Sequence, residues 1–280
     1  MVRVPQQLFD AYLFDLDGTI YLGDQVLPGA TRLIAALRHY GRPVRFLSNN
    51  PTRDPAQYAA KLAGLGIAAS PDEIVNTVVT TVSWLKAQHP DAVVFPIAEA
   101  ALIRALTEAG IRISDRPEEI DIVIASYDRG FDYRKLQIAF DAIWFHRRAF
   151  LVQTNPDRFC PYPGGRGQPD AAAITAAIEA STQTTCRHSF GKPDPVMMQT
   201  VLATLPPLSP GQVVMIGDRV HTDLQLAKST GVCSAVVLTG EATAGEVDAL
   251  SPTSAPDFVL DRVDRLIPPG LWGELGWSAC

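Results

Sequence analysis

Leu13-Phe14-Asp15-Leu16-Asp17-Gly18-Thr19 reads as the end of a buried strand that delivers two carboxylates into a turn. Upstream, Ala11-Tyr12-Leu13-Phe14 is a short apolar run of the kind that a parallel sheet covered on both faces buries, and Gly18 marks where the chain turns. Residues two apart on a strand point the same way. Asp15 and Asp17 therefore crowd one spot at a strand's carboxyl end, where open α/β sheets place their ligands. Crowded carboxylates call for positive charge beside them, most simply a divalent cation with a phosphate. Taken alone, Asp-x-Asp-Gly also fits an ordinary polar turn after a strand.

Working outward, the same arrangement recurs. Ser48 follows the apolar run Pro43-Val44-Arg45-Phe46-Leu47, and Lys192 stands in Gly191-Lys192-Pro193-Asp194-Pro195. Asp218 and Asp223 follow a third run that ends at Ile216. Carboxylates, one hydroxyl and one lysine, each just past a strand, are what phosphoryl transfer through an aspartyl intermediate requires. In these motifs the chain resembles haloacid dehalogenase superfamily phosphatases, and their wording is similar to the NagD-like (4-nitrophenylphosphatase) family with a C2-type (IIA) cap.

The resemblance implies an α/β fold: a doubly wound, Rossmann-like parallel-sheet core with a smaller α/β cap inserted between the serine and lysine motifs. The core is expected over residues 1–76 and 188–280 and the cap over 77–187. Within the cap, hydrophobic patterning predicts helices over 77–88, 99–109, 133–145 and 170–180, with strands over 92–95, 120–126 and 149–154. In the core, a small hairpin is expected over 21–26 with Gly23-Asp24 as its turn. A helix opened by Pro28-Gly29 is ended by Gly41, and Asp54 serves as N-cap of the helix that follows it.

A phosphate monoester repels nucleophiles with its own negative oxygens, so catalysis needs charge neutralisation and in-line placement. Asp15 is the candidate nucleophile, a carboxylate ionised at neutral pH. Asp17 is the candidate acid and base, protonating the leaving oxygen and then taking a proton from water. Mg²⁺ suits a site made of the Asp15 carboxylate, the Asp17 backbone carbonyl and the Asp218 carboxylate, with Asp223 in its outer shell. Ser48 and the backbone amide of Asn49 donate to the phosphoryl oxygens, and Lys192 balances their charge. Thr19 is read as bracing the turn, while the resemblance brings its hydroxyl near the phosphate. Inside the cap, Tyr127-Asp128-Arg129-Gly130-Phe131-Asp132-Tyr133 and Thr154-Asn155-Pro156-Asp157 are similar to the family's signatures. The resemblance thus makes Asp128, Asn155 and Asp157 the candidates for substrate binding. One segment departs from the family: in Gly164-Gly165-Arg166-Gly167-Gln168-Pro169-Asp170, Asp170 puts a charge or a helix N-cap where glycine is usual.

Composition limits the remaining choices. With 280 residues and 47% hydrophobic content, the chain can bury a core sufficient for one large domain or two modest ones. A net charge of −6 without any basic run argues against a nucleic-acid partner. The N-terminal stretch lacks the succession of a signal peptide, and no run approaches the roughly 18 apolar residues of a membrane span, so a cytoplasmic location is expected. Cys160, Cys186, Cys233 and Cys280 stand singly and are expected as reduced thiols, and the histidines are too dispersed to ligate a metal. The expected partner is a small phosphorylated metabolite, such as a sugar or polyol phosphate or a nucleoside monophosphate, because a large cap suits small substrates. Trp272 and Trp277 are read as a terminal cover, with a homodimer contact as the alternative. Two other functions share the chemistry: a transferase or mutase with the same nucleophile, and a receiver-like signalling protein, whose domains are about half this length and have no cap.

Overall fold

The computed structural model of the chain describes residues 2–162 and 166–278. Its strands are β1 (Ala11–Asp15), β2 (Tyr21–Leu22), β3 (Gln25–Val26), β4 (Val44–Ser48), β5 (Ile74–Asn76), β6 (Val93–Ile97), β7 (Arg112–Ile113), β8 (Ile122–Ala125), β9 (Phe150–Gln153), β10 (Phe159–Tyr162), β11 (Arg166–Pro169), β12 (Val213–Gly217), β13 (Cys233–Val237) and β14 (Phe258–Leu260). Its helices are α1 (Ala30–His39), α2 (Pro55–Gly64), α3 (Thr77–Gln88), α4 (Ala100–Glu108), α5 (Tyr133–Phe140), α6 (Ala171–Thr182), α7 (Pro195–Leu202), α8 (Gln225–Thr230) and α9 (Ala244–Asp248). Two compact units divide the chain: Met1–Leu47 with Tyr58–Ile74 and Val201–Cys280, and Ser48–Gln57 with Val75–Thr200.

The first unit is organised by a six-stranded sheet in the order β14-β13-β12-β1-β4-β5. β1 runs parallel to both neighbours, with Phe14 level with Ile216 on one side and Phe46 on the other. Ala11, Tyr12, Leu13 and Phe14 have no exposed surface, as a strand covered on both faces requires. From β1 the chain builds outward through β4 on one side and through β12 on the other, so the order of strands reverses between β1 and β12. An open α/β sheet presents its ligand crevice at such a reversal, beyond the carboxyl ends of the strands. The hairpin of β2 and β3 forms with Tyr21 opposite Val26, and Gly23 takes a positive φ in its turn. α1 buries Leu33, Ile34 and Leu37 on one face. Trp272 is buried in the core with Trp277 packed beside it, and its indole N–H donates to the Ile267 carbonyl at 2.8 Å, consistent with a terminal cover.

The second unit holds a four-stranded parallel sheet in the order β7-β6-β8-β9. Alternate residues of its strands feed two cores, since successive side chains leave a strand on opposite faces. Ile122, Ile124 and Val152 join Leu85, Leu102 and Leu106, while Val123 and Leu151 join Ala139, Ile174 and Ile178. Asp54 caps α2 as expected, accepting from the Gln57 amide at 2.8 Å, and the Gln57 side chain returns the bond to the Asp54 amide at 2.9 Å.

Two elements differ from the sequence expectation. The helix expected over 133–145 is α-helical only to Phe140; the chain then widens by one residue per turn over Asp141–Phe145, with the His146 amide reaching the Asp141 carbonyl. The sequence patterning gives no strand between 154 and 170, whereas Phe159–Tyr162 and Arg166–Pro169 pair antiparallel with Cys160 level with Gln168. The glycine here is strand chemistry: a Cβ at Gly167 would come within 2.8 Å of the Phe159 ring, so the bare backbone lets the ring lie across the pair. Gly164, Gly165 and Cys280 lie outside the described residues; Cys160, Cys186 and Cys233 are free thiols. Among the described residues no helix is long and apolar enough to cross a membrane.

Candidate active site

The first unit gathers carboxylates at the reversal between β1 and β12. β1 ends at Asp15, and the next residues fold into a tight loop in which the Leu16 carbonyl accepts from the amides of Thr19, Ile20 and Tyr21. Gly18 closes that loop with φ near +86°, and its amide donates to the Tyr21 carbonyl at 2.8 Å. Asp218 follows the end of β12, where a Cβ on Gly18 or on Gly240 would overlap its carboxylate. Two glycines thus form the cradle of this side chain, and the loop carrying Gly240 locks it. The Glu241 amide donates to Asp218 Oδ2 and the Ala242 amide to the Asp218 carbonyl, both at 2.8 Å, while Thr239 Oγ1 donates to the Gly18 carbonyl at 2.7 Å.

Carboxylate oxygens of Asp15, Asp218 and Asp223 lie within 4.8 Å of one another. Asp218 and Asp223 are buried at 3% and 2% exposure. Arg219, next in the chain, responds to this field: burial works to lower its pKa, but Asp15, Asp218, Glu241 and Asp223 together raise it. Its guanidinium Nε lies 3.0 Å from Glu241. Such a set of buried carboxylates fits a hard dication with oxygen ligands, and Mg²⁺ is the ion the sequence implies. Asp223, expected in the outer shell, stands within the cluster. Asp17 is exposed in the turn, and Thr19 is fully buried with its hydroxyl meeting no hydrogen-bond partner among the described residues.

The second unit holds a polar network. Ser48, at the end of β4, is buried and accepts from the Asn50 amide at 3.2 Å. The side chain of Asn49 grips the backbone of Lys192, donating to its carbonyl at 3.0 Å and accepting from its amide at 2.7 Å. Asn49 also donates to Asp157, and Asp157 accepts from Asn155, each at 3.0 Å. Asn155, fully buried, gives its other amide hydrogen to Asp170 at 3.1 Å. Residues 188–190 run beside β9, with the Phe190 amide bonded to the Gln153 carbonyl, which brings the lysine motif alongside Asn155.

Asp128 stands apart from this network. Both of its oxygens are engaged, one by Lys135 Nζ at 2.5 Å and one by the Gly130 amide at 2.8 Å. It lines a cavity of about 520 Å³ together with Arg129, Phe131, Gln168 and Ile174.

Sequence reasoning missed four contributors: Arg219, the loop at Thr239–Glu241, the amide side chain of Asn49 and the network role of Asp170. Arg219 had a signal, since a cation directly after a candidate metal-ligating carboxylate sits in its field. The other three act through contacts between residues distant in sequence, which no local pattern announces.

Residues 12–112 match the family described as haloacid dehalogenase-like hydrolase, and residues 189–266 match the one described as HAD-hydrolase-like. An acid sugar phosphatase from Staphylococcus epidermidis is 35% identical over 241 residues, which are 86% of this chain and 91% of that protein. Among solved structures, the 4-nitrophenylphosphatase of Thermotoga maritima superposes with a TM-score of 0.83 at 29% identity, covering 92% of this chain and 96% of its own. The glycerol phosphate phosphatase of Mycobacterium tuberculosis, solved in complex with magnesium, superposes with a TM-score of 0.83 at 28% identity, covering 93% of this chain and 77% of its own.

Proposed function

The chain belongs to the haloacid dehalogenase-like hydrolase family and is a phosphatase; from that premise we propose Mg²⁺-dependent hydrolysis of small phosphate monoesters through an aspartyl-phosphate on Asp15. Sugar and polyol phosphates are the first substrate class, the chemistry for which two of its relatives are named. The observation that carries this function is the cluster of Asp15, Asp218 and Asp223 at the strand-order reversal.

The Asp15 carboxylate attacks phosphorus as the ester P–O bond breaks. Asp17 enters protonated and gives its proton to the leaving oxygen, releasing the alcohol. It then takes a proton from the water whose oxygen attacks phosphorus, and the Asp15–phosphorus link breaks to free inorganic phosphate. An ion held by the Asp15 and Asp218 carboxylates and the Asp17 carbonyl supplies charge neutralisation for the phosphoryl oxygens when bound. Asp223 supports that set, and its carboxylate also accepts from the Arg219 amide at 3.1 Å. Ser48, the Asn49 amide and Lys192 are assigned to the phosphoryl oxygens by the family's motif order. The Thr19 hydroxyl, without a hydrogen-bond partner among the described residues, supports a phosphate contact there rather than a bracing bond.

Residues 77–187 are assigned to the cap that selects substrate. Asp128, on the rim of the cavity, is the specificity candidate within it. Asn155 is fully buried with both amide hydrogens used, and Asp157 Oδ2 accepts from Asn49 and Asn155; the two take a different role below.

The test is phosphate release from a panel of phosphorylated metabolites, with Mg²⁺ and with EDTA, by wild type and Asp15→Asn. Metal-dependent release that vanishes in the variant supports the function. A transferase or mutase would instead pass the phosphoryl group to an added acceptor without free phosphate appearing.

A further inference from the structure

Lys192 is held by its backbone before its ammonium does anything. Asn49 offers it the donor and acceptor that one strand offers another, at 3.0 and 2.7 Å. Beyond Asn49 the bonds continue without a gap. Asp157 Oδ2 accepts from Asn49 and from Asn155, and Asp170 Oδ1 accepts from Asn155 while capping α6 through the Ala171 amide at 2.6 Å. The Asn155 orientation is fixed by chemistry, because its oxygen faces the Thr154 hydroxyl at 2.8 Å and its nitrogen faces two carboxylates. Both amide hydrogens of Asn155 are used and none of its surface is exposed, so it has no donor left for a substrate. Gly191 sits against this chain so closely that a Cβ there would lie 2.8 Å from Asn49 Oδ1 and 2.9 Å from Asn155 Cβ.

We propose that Asp170, Asn155, Asp157 and Asn49 form a positioning relay that sets the backbone of Lys192, and with it the reach of its ammonium, for every ester turned over. The proposal rests on the phosphatase function, in which Lys192 serves the transferring phosphoryl group. Burial pushes the Asp170 carboxyl up to about 6, still ionised at neutral pH, so it accepts both of its bonds as a charged group. A buried link deprived of its partner leaves polar groups unpaired on either side, and the chain then relaxes by moving the segment it holds. Such movement costs turnover on all substrates alike, whereas a residue that selects substrate changes their ranking.

The test compares Asn155→Ala, Asp157→Ala, Asp170→Ala and Asp170→Asn with wild type. kcat and KM are measured on 4-nitrophenyl phosphate and two dissimilar sugar phosphates, and hydrogen exchange of the Lys192 amide is followed by NMR. Asn155→Ala should lower kcat about ten- to a hundredfold, the range that displacement of a catalytic group produces, by one factor on every ester and with little change in KM. Asp157→Ala removes the oxygen that accepts from both Asn49 and Asn155, and should do the same. Asp170→Asn retains both the acceptor and the cap and should recover most of what Asp170→Ala loses. Lys192 exchange should quicken in Asn155→Ala and Asp157→Ala. Losses confined to some esters, a rise in KM with kcat held, or unchanged Lys192 exchange in the folded variants would overturn the relay. A wild type that hydrolyses no ester defeats the phosphatase function itself, an outcome distinct from active wild type with indifferent variants.

Discussion

The carboxylates of Asp15, Asp218 and Asp223 lie within 4.8 Å of one another, whereas Asp157 and Asp170 divide between them the two amide hydrogens of Asn155. At such a spacing two like charges repel by roughly 3 kcal/mol at an effective dielectric constant of 20. The first cluster meets that cost with cations: Arg219 lies in its field, and the set is suited to a dication. The second pair is bridged by the neutral Asn155 amide, and Asp170 also caps a helix N-terminus. Both are acidic, yet only the first has the donor set that suits a dication. Acidic composition therefore says less than the kind of donor that surrounds it.

The contrast can be broken most forcefully at the cradle. Gly240→Ala would force the Asp218 carboxylate from its place, and activity should fall by more than about a hundredfold, together with Mg²⁺ affinity read by titration calorimetry. Retained affinity in a folded Gly240→Ala protein would mean that the geometry of the first cluster does not matter. Asp17→Asn should cost about 10²- to 10⁴-fold in kcat, the usual range for an acid–base group, while Mg²⁺ affinity stays within severalfold, because in the proposed site only its backbone carbonyl, which the substitution keeps, would face the ion. Equal loss of both would make Asp17 part of the first cluster rather than a proton carrier.

The second cluster is sharpened by pH. Asp170 has its folded pKa raised from 3.8 to about 6 by burial, so its contribution to stability is fully present below pH 3.8 and is lost as pH rises through about 6. Asp170→Asn removes that loss. Denaturant unfolding should show the variant gaining roughly 2–3 kcal/mol on wild type at pH 8 and clearly less at pH 4.5. An equal gain at both pH values would show that the carboxyl titrates normally. The smallest effect is expected at Asp128, outside both clusters: Asp128→Asn should reorder sugar phosphates severalfold while 4-nitrophenyl phosphate changes less.

Much of this was legible in the sequence because it is local. The Asp15–Thr19 turn, the Asp54 cap and the glycine-terminated α1 are each decided by a few neighbouring residues, and the buried runs around them could belong only to a covered parallel sheet. The cap's alternation of helices and strands was legible for the same reason. What escaped depends on contacts across the chain. Gly167 looks like a loop residue until the Phe159 ring is seen lying over it. Asn49 looks like a backbone donor until its amide is found on Lys192, distant in sequence. Asp170 looked like a departure from a family pattern, and its place is explained by the Asn155 amide it receives. In the first cluster the motifs named Asp15, Asp218 and Asp223 without showing that all three meet, the crowding read for Asp17 is not seen because it stands exposed in the turn, and the glycine of a different loop, Gly240, cradles the Asp218 carboxylate.

Rapid mixing of wild type with a turned-over ester and Mg²⁺, acid quenching, and mass spectrometry of the peptide containing Asp15 test the nucleophile most directly. A phosphoryl group on that peptide within one turnover, absent from Asp15→Asn, is the expected result. Metal-dependent turnover that persists in Asp15→Asn, with no phosphoryl group on the Asp15 peptide of wild type, would contradict it.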